Sequence, residues 1–257
     1  MLEDTLRERL AEREILLMTH IVLGYPSFED SLALVESMVD AGVDLMELQI
    51  PFSEPIADGP VILHANQRSL QAGAKVERCL RFAEEVSQRF DIPFLVMSYY
   101  NILFKFGVRD FTKRLSSAGL RGAIVPDLPP EEAGEYLAAM ADAGLDPIFI
   151  YSPNTTDARM AAIAEHARGF VYCVARKGVT GAETDFSASL DAYLARCRAA
   201  TALPIALGFG VKARSDVDAL RGKADIAVIG TETIRVMQDR GVAAVRDFIA
   251  ELRPEGS

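Results

Sequence analysis

Residues 40–50 read DAGVDLMELQI. DAG ends a helical pattern that runs back through Val39, Val35 and Leu32, and Gly42 suits the left-handed position just past a helix. VDLMELQI, residues 43–50, is then an apolar run too short for a helix, and it reads as a buried parallel strand. The same junction returns as SAGLR at 117–121 and DAGLD at 142–146. Three copies of one helix-to-strand junction are the trace a repeated α/β unit leaves.

Seven more runs of this kind follow the pattern: ILLM at 15–18, PFLVM at 93–97, GAIVP at 122–126, PIFIY at 147–151, FVYCVA at 170–175, PIAL at 204–207 and DIAVI at 225–229. Helical patterns lie between them. Ser27 and Asp30 form a capping pair before one. Pro130 suits the first turn of the segment holding Tyr136, Leu137 and Met140. Thr155 or Thr156 caps the helix of Met160 and Ile163, with Gly169 at its C′ position. No linker interrupts the 257 residues. The expected fold is therefore α/β, a single (β/α)₈ TIM barrel spanning 1–257 as one domain. Residues 2–13 read as an extra N-terminal helix over the barrel's N-terminal end. An open doubly wound sheet shares this periodicity and is the alternative.

The bulk composition narrows function. A formal charge of −10 argues against a nucleic-acid surface, which needs clustered Lys and Arg. One phosphate is still compatible, since a few backbone N–H groups hold it. Cys79, Cys173 and Cys197 are scattered, which is neither a disulfide framework nor a metal pattern. The N-terminus is charged throughout and no apolar run approaches a membrane span. The expectation is a cytoplasmic protein without membrane or metal partners.

Barrel sites lie at the C-terminal ends of the strands. In VDLMELQI, Val43, Leu45, Glu47 and Gln49 share one face, and Met46, Leu48 and Ile50 the other. The fully apolar set suits the layer under the helices, so Glu47 and Gln49 point into the barrel near its top. A carboxylate there is costly unless paired or functional. Burial raises its pKa, which suits a group that gives and takes a proton near neutrality. A Glu satisfied by buried partners is the other reading. The loop PFSEPIADGP holds three prolines in ten residues and is stiff enough to fix a second carboxylate, Asp58 or Glu54. By composition alone, Asp58 reads as a turn residue before Gly59. RKGVTGAE at 176–183, GFG at 208–210 and Gly230-Thr231 supply glycine at three later strand ends, the usual place of a barrel phosphate site. Tyr172 shares a face with Val174 and could line the pocket. His20 is either a pocket residue or a satisfied core histidine. His64 and His166 read as helix-surface residues. The loops 51–58 and 176–190 read as lids.

These motifs resemble the tryptophan synthase alpha-subunit family along nearly the whole chain. The resemblance rests on LMELQIPFSEPIADGPVI at 45–62, MSYYN at 97–101, VPDLPPEE at 125–132, FVYCVARKGVTGAE at 170–183 and LGFGVK at 207–212. It implies cleavage of indole-3-glycerol phosphate to indole and glyceraldehyde 3-phosphate. Glu47 then falls at the general acid–base position and Asp58 at the carboxylate that binds the indole N–H. Phosphate contacts fall on Gly181, Gly210, Gly230 and Thr231, and contacts to the indole on Tyr172, Phe209, Ile62, Met97 and Ile124. Thr180 matches a position in the substrate loop and, with Asp127, is tied to loop closure. Glu54, Asp127 and Asn101 match positions that communicate with a beta subunit. The resemblance implies an α2β2 assembly, with pyridoxal phosphate only in the beta subunit and no cofactor on this chain. Its alternative is a chain that mainly activates a partner subunit, with altered or weak lyase activity. A different phosphosugar barrel enzyme is a third reading, against which the pairing of PFSEPIADGP with KGVTG counts.

The chain departs from the family pattern at several positions. Gln49 stands where Gly is usual, Glu54 where Asp is usual, and His20 where the residue is commonly aromatic or apolar. SPNTTD at 152–157 replaces a more usual APT-type segment, and Lys177 occupies a usually small or uncharged place. Gln49 lies about 6.6 Å beyond Glu47 on the same face. There it could bond Glu47, touch substrate or narrow the pocket.

Overall fold

Eight parallel strands close on themselves in chain order, each bonded to its sequence neighbours and the last to the first. The computed structural model describes residues 1–175 and 183–253, with 183–188 as backbone only. The strands are β1 (Leu16–Val22), β2 (Leu45–Gln49), β3 (Phe94–Met97), β4 (Gly122–Ile124), β5 (Asp146–Tyr151), β6 (Val171–Val174), β7 (Ile205–Gly208) and β8 (Ile226–Ile229). Closure excludes the open sheet. All eight expected strands are present. β1 runs four residues beyond the apolar run at 15–18, because Thr19 and His20 are buried polar residues inside a strand.

Helices lie between and around them: α1 (Leu2–Glu12), α2 (Phe28–Asp40), α3 (Pro60–Gln71), α4 (Val76–Arg89), α5 (Tyr100–Phe106), α6 (Val108–Ser117), α7 (Gly134–Ala143), α8 (Asp157–His166), α9 (Glu183–Ala200), α10 (Arg214–Asp218), α11 (Thr231–Arg240) and α12 (Ala243–Leu252). Ser27 caps α2, its Oγ accepting from the Asp30 N–H at 3.0 Å, and Thr156 caps α8. Two details differ from the sequence reading. Pro130 opens a separate 3₁₀ turn, Pro130–Glu132, and α7 begins only at Gly134. The C-cap of α8 is Ala167, so Gly169 is not its C′ residue but turns the chain into β6 with φ +74°. The repeated junction holds: Gly42, Gly119 and Gly144 all take positive φ, between +66° and +86°, at the ends of α2, α6 and α7. A side chain with a Cβ would be strained there.

The pleat splits the core in two. Met46 and Leu48 belong to the large layer between strands and helices, while Leu45 packs inside the barrel with Leu16, Met18, Leu95, Met97, Ile124, Ile148, Ile226 and Val228. Glu47 and Gln49 therefore face inward, as the alternation requires. Val43 does not join them. It packs in the outer layer, because it precedes β2 and lies in the turn, where the two-residue alternation has not begun. At the opposite end, Leu2 and Leu6 of α1 pack into the inner cluster and plug the barrel bottom. The Leu2 N–H donates to Asp146 Oδ2 at 3.0 Å, which fixes the start of that helix. All three cysteines are free and buried. Among the described residues, no helix is long and apolar enough to cross a membrane.

Candidate active site

Strand ends with small residues leave room at the C-terminal mouth. Gly208 is one cause: a Cβ there would stand 3.2 Å from the ring and hydroxyl of Tyr172. The result is a cavity of about 640 Å³ lined by Glu47, Asp58, Ile62, Met97, Ile124, Tyr172, Phe209, Gly210, Gly230 and Thr231. Every sequence-derived substrate residue within the described chain is thus brought to one place. Thr180 and Gly181 lie outside the described residues, as does Lys177. Val174 lines the cavity beside Tyr172, as their shared face requires.

Glu47 is 4% exposed, and its Oε2 has no hydrogen-bond partner among the described residues. Burial pushes its pKa up to about 7, opposed by His20 and reinforced by Asp58. Among the described residues, Oε2 lacks the buried partner that a purely structural Glu would need, and with a pKa of about 7 both protonation states are within reach at neutral pH.

Asp58 is held differently. It precedes Gly59, the N-cap of α3, and its own N–H donates to Pro55 O at 3.1 Å. It is therefore a turn residue, yet its side chain reaches the cavity. Its Oδ2 accepts from Gln49 Nε2 at 2.7 Å and from the Tyr99 hydroxyl at 3.3 Å. Burial raises its pKa, and the Gln49 bond is the main opposing influence, followed by His20 and Tyr99. The Tyr99 hydroxyl also accepts from the Ala57 N–H at 3.1 Å, and the Phe52 ring stacks on Tyr99 with centroids 5.0 Å apart. Asn66 of α3 accepts from the Phe52 N–H at 2.9 Å. The loop after β2 is thus braced from β3 and from α3.

Gln49 takes other partners than the options the sequence offered. It bonds neither Glu47 nor the cavity; it is wholly buried, against His20, Asp58 and Asn66. His20 is 5% exposed and lines the cavity. Tyr172 stays a neutral phenol, since burial and then the Glu47 and Asp58 carboxylates drive its pKa well up.

After β8, the strand paired with β1, lies the start of α11, whose N-cap is Gly230, and it lines the same cavity. Unpaired N–H groups at a helix start attract an anion. Lys212 and Arg235 line the same cavity and were not singled out in the sequence. Arg235 follows Thr231 by four residues, and that spacing puts both on one helix face, so the signal was available. Lys212 directly follows GFGV and carried no such signal. Glu54 and Asn101 lie outside the cavity and are exposed. Asp127 is half-buried, and its Oδ1 accepts from the Tyr100 N–H at 2.8 Å, tying the loop after β4 to the start of α5. His64 and His166 are exposed on helices, as expected.

Comparison with known proteins agrees with this geometry. The family model for the tryptophan synthase alpha chain matches residues 6–252. The tryptophan synthase alpha chain of Syntrophotalea carbinolica is 63% identical over 253 residues, 98% of this chain and all of that one. A solved tryptophan synthase from M. tuberculosis superposes with a TM-score of 0.88 at 31% identity, covering 98% of this chain and 97% of its own. A tryptophan synthase complex from Pyrococcus furiosus superposes with a TM-score of 0.83 at 29% identity, covering 92% and 97%. Strand order, cavity and sequence together make this chain a member of the tryptophan synthase alpha chain family, a family of lyases.

Proposed function

We propose that Glu47 is the acid–base group and Asp58 the charge-stabilising group of the family's lyase reaction, the retro-aldol cleavage of indole-3-glycerol phosphate to indole and glyceraldehyde 3-phosphate in tryptophan biosynthesis. The observation that carries the reading is the pairing of an unpartnered, buried Glu47 with a braced Asp58 in one cavity.

The chemistry asks for both. Indole leaves poorly as a carbanion at C3. Protonation at C3 makes the ring an electron sink, with positive charge developing at N1. Asp58, acting as a carboxylate, offsets that charge. Loss of the proton from the C3′ hydroxyl then breaks the carbon–carbon bond. One proton enters and one leaves, so a single carboxyl serves both transfers and ends as it began. A pKa of about 7 leaves Glu47 able to do each. Ile62, Met97 and Ile124, with Tyr172 and Phe209, form the aromatic slot. Gly210, Gly230 and Thr231 at the α11 start, with Gly181, take the phosphate, whose binding orients the substrate. Thr180, next to Gly181 in sequence, is assigned to substrate binding with it. Each step uses an acid, a base or a dipole that this chain supplies, so no cofactor is assigned to it.

We assign the partner as a pyridoxal phosphate-dependent beta subunit in an α2β2 assembly in the cytoplasm, with Glu54, Asn101 and Asp127 toward it. This chain contributes one barrel domain spanning 1–257. The similarity to solved tryptophan synthase complexes supports that reading.

An indole-release assay on indole-3-glycerol phosphate tests the assignment. Glu47→Gln should lower kcat by about 10²–10⁴-fold, the usual contribution of acid–base catalysis. Asp58→Asn should lower it by about 10²–10³-fold, since a neutral amide cannot offset the charge at N1. Retention of most activity by either variant would move its role elsewhere. Stimulation of a beta subunit by a chain that releases no indole would favour the activating-subunit reading.

A further inference from the structure

We propose that His20 and Gln49 form a buried positioning relay for Asp58, in which His20 donates through Nε2 to Gln49 Oε1 and Gln49 donates through Nε2 to Asp58 Oδ2. The inference deepens the reading of Asp58 above and rests on it.

The direction of each bond follows from two backbone groups. The Phe52 N–H donates to Asn66 Oδ1 at 2.9 Å, and Asn66 Nδ2 donates to Ile62 O at 2.9 Å. The Asn66 amide therefore has one orientation. Its Oδ1 also faces Gln49 at 3.5 Å, and the Asp58 carboxylate faces the same end at 2.7 Å. Both are acceptors, so the Gln49 –NH₂ points that way and its Oε1 points to His20, 2.7 Å from Nε2. An acceptor there requires the proton on Nε2. Nδ1 is enclosed, without a partner among the described residues, and stands 3.6 Å from where a Cβ on Gly230 would lie. Gly230 thus leaves the ring its place.

The relay does more than satisfy buried polar groups. Among the described residues, the two side-chain donors to the Asp58 carboxylate, Gln49 and Tyr99, both engage Oδ2. No described residue bonds Oδ1, which leaves that oxygen for a ligand N–H. Gln49 makes the shorter of the two bonds, from a wholly buried place at the end of β2 where an apolar side chain would avoid the cost of burying an amide. The constraint runs from β1 through β2 into the loop. In it, Gln49, which does not line the cavity, and His20, whose ring edges it, act through Asp58, so they are positioning residues.

The test compares Gln49→Leu, His20→Phe and His20→Gln with Asp58→Asn in the full chain. Gln49→Leu should lower kcat for indole release by about 10- to 100-fold with little change in KM, and should move the acidic limb of the pH profile upward, because a bond favouring the carboxylate is gone. His20→Phe should act in the same direction, and His20→Gln, which keeps a donor at the same reach, should recover most of the loss. If Asp58→Asn is itself nearly harmless, the reading of Asp58 fails. If Asp58→Asn is severe while Gln49→Leu and His20→Phe keep kcat and pH profile, the relay alone is overturned. Nitrogen-15 NMR of the three imidazoles in the parent chain decides independently of any variant's folding. A His20 carrying its proton on Nε2 supports the relay, and one carrying it only on Nδ1 overturns it.

Discussion

Glu47 stands in a strand interior that disfavours its charge, and this has a measurable effect on stability. Its pKa rises from an ordinary 4.5 to about 7 on folding, chiefly through burial. Below about 4.5 both folded and unfolded chains hold the proton, and the group contributes nothing. Between there and about 7 the folded chain binds more protons, so stability falls as pH rises. Above about 7 the full cost applies, about 3 kcal/mol at 1.36 kcal/mol per pH unit. Glu47→Gln should therefore melt higher than the parent at pH 8, and the gap should shrink toward pH 4. Thermal unfolding across that range measures it, and a gap independent of pH would contradict the assignment. The stabilised variant should also be the inactive one, since the charge that costs stability is the one the reaction uses.

Secondary elements divide these duties between the two ends of the barrel. α1 closes the bottom: Leu2 and Leu6 are fully buried among the inner strand residues, and Arg9 and Arg13 bond the backbone and side chain of Asp44 at the start of β2. Burial raises the pKa of Asp44, and the Leu17 N–H and these arginines, with Arg253, oppose the rise. Leu6→Ala should cost about 2–5 kcal/mol in urea unfolding, the range for a buried leucine truncation. Its kcat for indole release should match the parent at temperatures where it is folded, because the site lies at the other end. A matching loss of kcat would show that the bottom plug reaches the chemistry. The top is built from short elements instead. α3 begins directly after Asp58, and its Ile62 and Asn66, one turn apart, respectively line the cavity and brace the loop.

The assembled chain leaves large apolar side chains exposed on that loop and on α5. Ile56 is 79% exposed and Phe104 of α5 is 70% exposed, near Glu54 and Asn101 in sequence. Both segments are tied to the site, one through the Ala57 bond to Tyr99 and the other through the Tyr100 bond to Asp127. A beta subunit seated there would press on the loop that carries Asp58. Phe104→Ser should weaken association with a beta subunit by about tenfold or more, as for a truncated interface aromatic. Indole release by the isolated chain should not change. Unaltered affinity in a titration would place the partner contact on another face.

Much of this was legible in one dimension. The repeated Asp/Ser-Ala-Gly junction and the eight short runs carried the barrel, because helix ends and buried strands demand particular residues locally. The pleat carried the inward direction of Glu47, and the motif pair carried the family. β1 was read short because a polar residue ends an apolar run on paper, whereas in the barrel His20 is satisfied by Gln49. Gln49 itself was legible as a neighbour of Glu47, nine positions before Asp58, but which of several partners its amide takes depends on where β1, β2 and α3 meet. Lys212 and Arg235 enter the cavity for the same reason: they come from elements after β7 and β8 that only closure of the barrel brings to the mouth shared with β2. The order of residue types determined the elements, the family and the inward direction of Glu47. The environment of Glu47 and Asp58 was decided by the closed barrel, since burial and hydrogen-bond partnership are properties of what surrounds a group in space.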